Sequence, residues 1–266
     1  MFKIVASLVL FALSVSAAPK ISAYQTAPFQ TKEVVIQKLK DSGFEFLADY
    51  AVNKNSSYTT ILFTSTLLKE KAKKTNRGFA ALSRILINSE KKELRIANPN
   101  YFLRAFLQDD FDSEAAQSTY EKLKTAFGPL NDTDDLLKEK DLKKYRFMFG
   151  MPYYEDLIEV GTGQPNELVK KLKDSNSLIF DLEMDSNKRL CAVMLPEKIE
   201  SFPETLKVSD NALLLPYLVL LEDEKAKILH AKYYLAVSLP QLGMGQFMTI
   251  SDVPGKIEDT FKELLK

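Results

Sequence analysis

Few side chains on this chain could do chemistry. Its 266 residues include one histidine, His230, one cysteine, Cys191, and no tryptophan. One Cys and one His cannot assemble a Cys/His zinc site, and one Cys cannot close an internal disulfide. His230 stands in Lys227-Ile228-Leu229-His230-Ala231-Lys232-Tyr233-Tyr234, a run that predicts a strand. Period-two alternation there puts Ile228, His230 and Lys232 on one face. General-base work would need a partner and a pocket beside the imidazole. Without them His230 is a surface or edge histidine, and Lys232 on the same face favours that. Cys191 lies in the apolar run Leu190–Leu195 and reads as a buried small hydrophobe. Arg189 alone is too little positive charge to depress its thiol pKa.

Other candidate chemistry is thinner. Met148, Met151, Met244 and Met248, with His230, offer soft donors suited to Cu(I). Interleaved phenylalanines make core packing the simpler reading, because methionine is a common gap-filler. Gly243-Met244-Gly245 reads as a lid, a contact surface or a plain turn, and Gly161-Thr162-Gly163 as a turn. The basic stretch Lys69–Arg77 suits an anionic partner or, more simply, a solvated helix face. Asp109-Asp110 and Asp134-Asp135 are expected to be solvated or capping. No Gly-x-Gly-x-x-Gly opens a helix, and no P-loop, His-Glu-x-x-His or Gly-x-Ser-x-Gly occurs.

The elements that must position these residues follow from address and repetition. Met1-Phe2-Lys3, the apolar run Ile4–Leu13 and Ser14-Val15-Ser16-Ala17-Ala18 have the layout of a secretory signal peptide, with cleavage after Ala17. No other stretch reaches the ~18 apolar residues of a membrane span. The mature protein is therefore expected to be exported, periplasmic and soluble, with no stable membrane span.

Lys38-Leu39-Lys40-Asp41-Ser42 recurs as Lys171-Leu172-Lys173-Asp174-Ser175, 133 residues later. Apolar strand-like runs follow each copy in the same order. They are Phe44–Val52, Thr60–Phe63, Ile85–Asn88 and Leu94–Ala97, then Leu178–Leu182, Leu190–Leu195, Leu213–Leu221 and Lys227–Tyr234. Each copy closes on a helical pattern, Glu114–Phe127 or Val253–Leu265. This predicts an α+β fold of two tandem β-α-β(4)-α units, each an antiparallel sheet with helices on one face. The first unit opens with a strand near Ile21–Thr26 and a helix over Lys32–Asp41. The second opens within Arg146–Val160, and Asn166 caps its helix. The predicted core is Phe44, Phe46, Ile61, Phe63, Ile85 and Ile87. Its counterparts are Ile179, Leu190, Ala192, Leu218, Leu220 and Ile228. The boundaries are residues 1–17 for the signal, 18–128 and 144–266 for the units, and 129–143 for a charged linker or connecting helix.

Charge is uneven across that division. The whole chain balances 36 basic against 36 acidic residues, which argues against wholesale nucleic-acid binding. Residues 18–128 hold 17 basic and 12 acidic side chains, whereas residues 129–266 hold 18 and 24. Complementary fields would favour docking of the halves, or self-association of chains through them; drift after duplication is the plainer explanation.

Asp210-Asn211-Ala212-Leu213-Leu214-Leu215-Pro216, followed by Val219–Asp223 and Ile228–Ala231, resembles the bacterial domain of unknown function 302 family. Ile96-Ala97-Asn98-Pro99-Asn100-Tyr101-Phe102-Leu103 is similar to the family's next segment, a strand, an Asn-Pro and a short helix. Where the family has a cysteine after the proline, this chain has Tyr217. The resemblance implies diverged tandem copies of that fold and no defined activity.

The resulting expectation is a non-catalytic ligand-binding or protein-interaction module without cofactor. A small ligand or protein partner would meet Pro216, Tyr217, His230, Tyr233, Asn98 and Tyr101 at the cleft between units. The alternatives are a hydrolase- or redox-like enzyme with its site on the second unit, and a Met/His copper binder.

Overall fold

A computed structural model describes residues 18–54 and 57–266. The expected signal segment, residues 1–17, lies outside the described residues. The fold is α+β with antiparallel sheets. Among the described residues, no helix is long and apolar enough to cross a membrane.

The first unit runs β1 (Lys20–Ser22), β2 (Tyr24–Pro28), α1 (Lys32–Asp41), β3 (Glu45–Ala51), β4 (Tyr58–Thr64), α2 (Thr66–Lys71), β5 (Ser83–Asn88), β6 (Glu93–Ala97), α3 (Pro99–Leu107) and α4 (Ser113–Phe127). β7 (Asn131–Asp132) and β8 (Leu136–Lys138) follow. The second unit runs β9 (Ile158–Thr162), α5 (Pro165–Asp174), β10 (Leu178–Asp185), β11 (Lys188–Val193), α6 (Glu197–Glu200), α7 (Phe202–Thr205), β12 (Tyr217–Glu222), β13 (Lys225–Ile228), α8 (Ala231–Ser238), α9 (Met244–Thr249) and α10 (Val253–Leu264).

The two sheets share one topology. Their strand orders are β3-β4-β5-β6-β2 and β10-β11-β12-β13-β9, with β7 added beyond β2 in the first. Register agrees as well as order. Asp49 lies opposite Ile61, which lies opposite Ile85. Asp181 lies opposite Cys191, which lies opposite Val219. Each unit inserts helical turns in the polar segment between β4 and β5 or between β11 and β12, and in the second unit they reach into Leu213–Leu221, which the sequence suggested as one strand. Leu213 and Leu214 accordingly belong to a 3₁₀ segment, Ser209–Leu214, that precedes β12.

Local signals explain most boundaries. α1 spans the predicted Lys32–Asp41, and Gly43 beyond it adopts φ +78°, where a side chain would be strained. α5 begins with Pro165 at its first position, so Gln164 and not Asn166 is the N-cap residue. The Asn166 side chain instead accepts a hydrogen bond from Arg189 at 2.9 Å. Residues 129–143 form neither a helix nor a free tether. β7 extends the first sheet, β8 pairs with β1, and Asp135 is buried in an ion pair with Arg95.

Both faces of both sheets are covered. Ile61, Phe63, Ile85 and Ile87 pack with Phe44 beneath α1 and α4, through Val35, Leu39, Leu123 and Phe127. The expected counterparts Leu218 and Leu220 are buried on the opposite kind of face, the one turned toward the other unit. A sheet buried on both sides has near-continuous apolar strands, so alternation cannot tell which residues face which layer.

The units meet through reciprocal contacts. Tyr101 donates to the Val237 carbonyl at 2.7 Å, and Tyr233 donates to the Ala105 carbonyl at 3.0 Å. Donor and acceptor are exchanged between positions 132 residues apart in both cases. Matching positions also meet at the strand ends, with the donor in the first unit both times. The Asn88 side-chain amide donates to Asp210 at 2.9 Å, and the Asn76 backbone N–H donates to Glu222 at 2.9 Å. Such swapped pairs are the mark of an isologous interface, here between two halves of one chain. Ion pairs Arg77–Glu155 and Lys91–Asp210 also cross the junction, with the cation in the first unit.

Candidate binding site between the two units

α3 and α8 begin at matching places, directly after β6 and β13. Asn98 caps α3 by accepting from the Asn100 amide at 3.0 Å, and its own amide donates to the Ser22 carbonyl at 2.8 Å. His230 does the same for α8, its Nδ1 accepting from the Lys232 amide at 3.2 Å. The strand expected through Tyr234 therefore ends at Ile228. His230 is a helix N-cap, whose lone pair satisfies an otherwise orphaned amide.

Burial, with Lys232 adding to it, lowers the His230 pKa from its ordinary value of 6.5, which keeps the imidazole in the neutral, accepting form. A depressed folded-state pKa adds stability that is complete above 6.5 and declines as pH falls toward the folded value. His230→Asn supplies a cap that does not titrate. Its melting temperature relative to wild type is expected to rise steadily between pH 7.5 and pH 5. An unchanged difference across that range would remove the cap from the pH dependence.

The six expected site residues do different work: Asn98 and His230 cap helices within their own units, and Tyr101, Tyr233 and Pro216 bond across the junction. Tyr101 and Tyr233 are the reciprocal donors already described. Tyr217 is buried, donates to the Leu229 carbonyl at 2.7 Å and meets Tyr234 edge-on at 5.3 Å. The Pro216 carbonyl accepts from Arg84 at 2.9 Å, and the Leu215–Pro216 peptide is cis. Of the six, Tyr217 alone lines a cavity of about 40 Å³ between the units.

That cavity is built from matching positions of the two units. Ala97 faces it from β6, and Leu229 from the residue after β13. Phe102 and Phe106 come from α3, Tyr234 and Ser238 from α8. Arg84 and Leu218 occupy one register position, on β5 opposite Leu62 and on β12 opposite Ala192. Tyr24, Phe79, Leu213 and Leu214 complete most of the wall.

Arg84 is the residue that sequence reasoning missed. It lies in Ser83-Arg84-Ile85-Leu86-Ile87, and a lone cation in an apolar strand was the available signal. Its guanidinium donates to the carbonyls of Leu213, at 3.1 Å, Leu214 and Pro216, and to the Tyr234 hydroxyl. The Leu-Leu-Leu-Pro segment is thus folded around an arginine of the other unit.

Elsewhere the candidates are accounted for. Cys191 is buried, and burial pushes its thiol pKa well up, so it is not a ready nucleophile. The basic stretch is paired with carboxylates. Lys69 meets Glu45, Lys71 meets Asp112, Lys73 meets Glu70, and Lys74 and Arg77 share Asp110. Asp135, expected to be solvated or capping, is buried against Arg95. Gly161 lies inside β9, and Gly243 is the N-cap residue of α9. Met244 and Met248 stand one turn apart on α9, exposed, beside Phe247, which stacks on Phe147 at 6.0 Å. Among the described residues, no three His, Cys, Asp or Glu side chains are grouped to hold a metal ion. No protein-family model, curated protein or solved structure matches the chain.

Proposed function

We propose that this chain is an exported, non-catalytic binding module, a diverged tandem pair of the domain of unknown function 302 type. Its small ligand sits where the two units meet. The observation that carries the reading is the cavity itself, walled by matching positions of both units and floored by a buried arginine. Cavities with a few convergent polar groups are the usual form of small-ligand sites. The enzyme alternative loses its main support, because the imidazole offered as its base caps a helix. Export rests on the N-terminal segment, and the family assignment on the Leu-Leu-Leu-Pro and Asn-Pro-x-Tyr segments.

The test uses protein expressed from the full sequence and recovered from a bacterial periplasm, where Ala18 is the expected first residue. Xenon occupies dry apolar cavities, and its NMR shift should respond saturably to the wild-type protein. Ser238→Leu, which fills the chamber, should abolish that response. A wild type that leaves xenon unaffected, or a variant that responds equally, overturns the cavity as a ligand site.

A further inference from the structure

We propose that the cavity between the units takes a small monocarboxylate, of formate to propionate size, with Arg84 binding the carboxylate. This rests on the preceding reading of the cavity as the ligand site.

The argument starts from charge. Among the buried cations of the described residues, Arg77 pairs with Asp110 at 3.0 Å and Glu155 at 2.9 Å. Arg95 pairs with Asp135, and Lys188 with Glu222 at 2.5 Å. Arg84 is 6% exposed, yet its partners are three carbonyls and a phenol, all neutral. Among the described residues, no carboxylate lies within ion-pair distance of it. Nor do the nearby phenols supply a charge, since burial raises the pKa of Tyr24, Tyr217 and Tyr234 and keeps them protonated. Buried charges are normally paired, and this one lines a void.

A second group points the same way. Ser238 is 1% exposed and lines the same cavity. The Tyr234 hydroxyl lies near it, already donating to the Leu214 carbonyl at 2.7 Å. A guanidinium and a serine hydroxyl at one chamber suit the two oxygens of a carboxylate.

The remaining wall sets the rest of the ligand. Rings of Tyr24, Phe79, Phe102 and Phe106 and the side chains of Leu82 and Leu229 accept an alkyl group and offer nothing to a polyanion. Phosphate or sulfate would leave most oxygens unpaired there. One water needs ~10–15 Å³ of such space, so about 40 Å³ admits an ion of about three to four heavy atoms and a fifth only with a small shift of the wall.

The experiment titrates the mature wild-type protein with [1-¹³C]acetate and follows line broadening, with xenon shifts measured in parallel. Acetate broadening should saturate, hexanoate should fail to compete, and Arg84→Met should weaken binding about tenfold or more, as loss of a charged hydrogen bond does. Arg84→Lys should restore part of the affinity. If Arg84→Met does not fold, Ser238→Leu decides, because it fills the chamber and leaves the carbonyls around Arg84 in place. Acetate binding that survives Ser238→Leu overturns the proposal, as does competition by chloride or sulfate equal to that of acetate. Xenon binding without acetate binding overturns the carboxylate and leaves the cavity reading standing. Absence of both overturns the two together.

Discussion

Lys188→Met is expected to destabilise the fold by about 3–5 kcal/mol, the cost of stranding a buried charge. Lys188 and Glu222 side chains are 5% and 4% exposed and lie 2.5 Å apart. The ammonium also donates to the carbonyls of Lys73, at 2.5 Å, Lys74, at 2.8 Å, and Ala72, at 3.4 Å. These carbonyls lie at and just beyond the C-terminus of α2, so a cation from the second unit closes a helix of the first. Glu222 in turn holds the Asn76 amide and Lys227. Removing the lysine leaves the carbonyls of Ala72, Lys73 and Lys74 without their donor and Glu222 with only the longer ion pair to Lys227 at 3.3 Å. Replacing both charges, as Lys188→Met with Glu222→Leu, should cost less than the sum of the two single losses, since each change removes the other's partner. Urea unfolding followed by circular dichroism measures both. A loss below about 1 kcal/mol for Lys188→Met would mean that water reaches this pair.

Leu220→Ala should cost about 2–5 kcal/mol, the range for a fully buried leucine. Leu220 has no exposed surface and lies against Gly78 of the other unit. A Cβ at Gly78 would collide with Leu220 Cδ1 and come within 3.2 Å of Leu220 Cδ2 and Met184 Cε. Gly78→Ala alone should therefore cost about 1–3 kcal/mol through overpacking. The two changes share one space, one emptying it and the other filling it. Their combination should cost less than the sum of the single losses, by more than the ~0.5 kcal/mol error of additivity. Strict additivity would show that the two residues do not interlock across the junction.

Much of the architecture was legible because it is written twice. The repeated Lys-Leu-Lys-Asp-Ser marks the ends of α1 and α5, and the apolar runs after it locate the strands of both sheets. What misled was burial on two sides. Leu213–Leu221 is apolar throughout, so nothing in its pattern announced the 3₁₀ segment before β12. Leu229–Tyr234 reads as a continuing strand because Leu229, Ala231 and Tyr233 alternate with His230 and Lys232. His230 as a cap escaped notice, since histidine is an uncommon choice beside Ser, Thr, Asp and Asn. The site was half readable. Pro216 and Tyr217 flagged the right segment, but their meaning lay in Arg84, 132 residues earlier, and only folding sets the two together. Ser238 carries no sequence signal, because a serine's place in a cavity wall is a property of packing.

The swapped tyrosine bonds have a consequence for what the chamber can hold. Two separate identical chains must repeat every residue across their axis. An arginine near that axis would then face its own copy, and a bound molecule could lie in either of two equal directions. Joining the halves in one chain lifts that constraint. β5 keeps Arg84 where β12 has Leu218, and α3 has Phe106 where α8 has Ser238. The chamber therefore has a head and a tail. It offers one polarity and one place per chain, a stoichiometry and an orientation that an unfused pair could not specify.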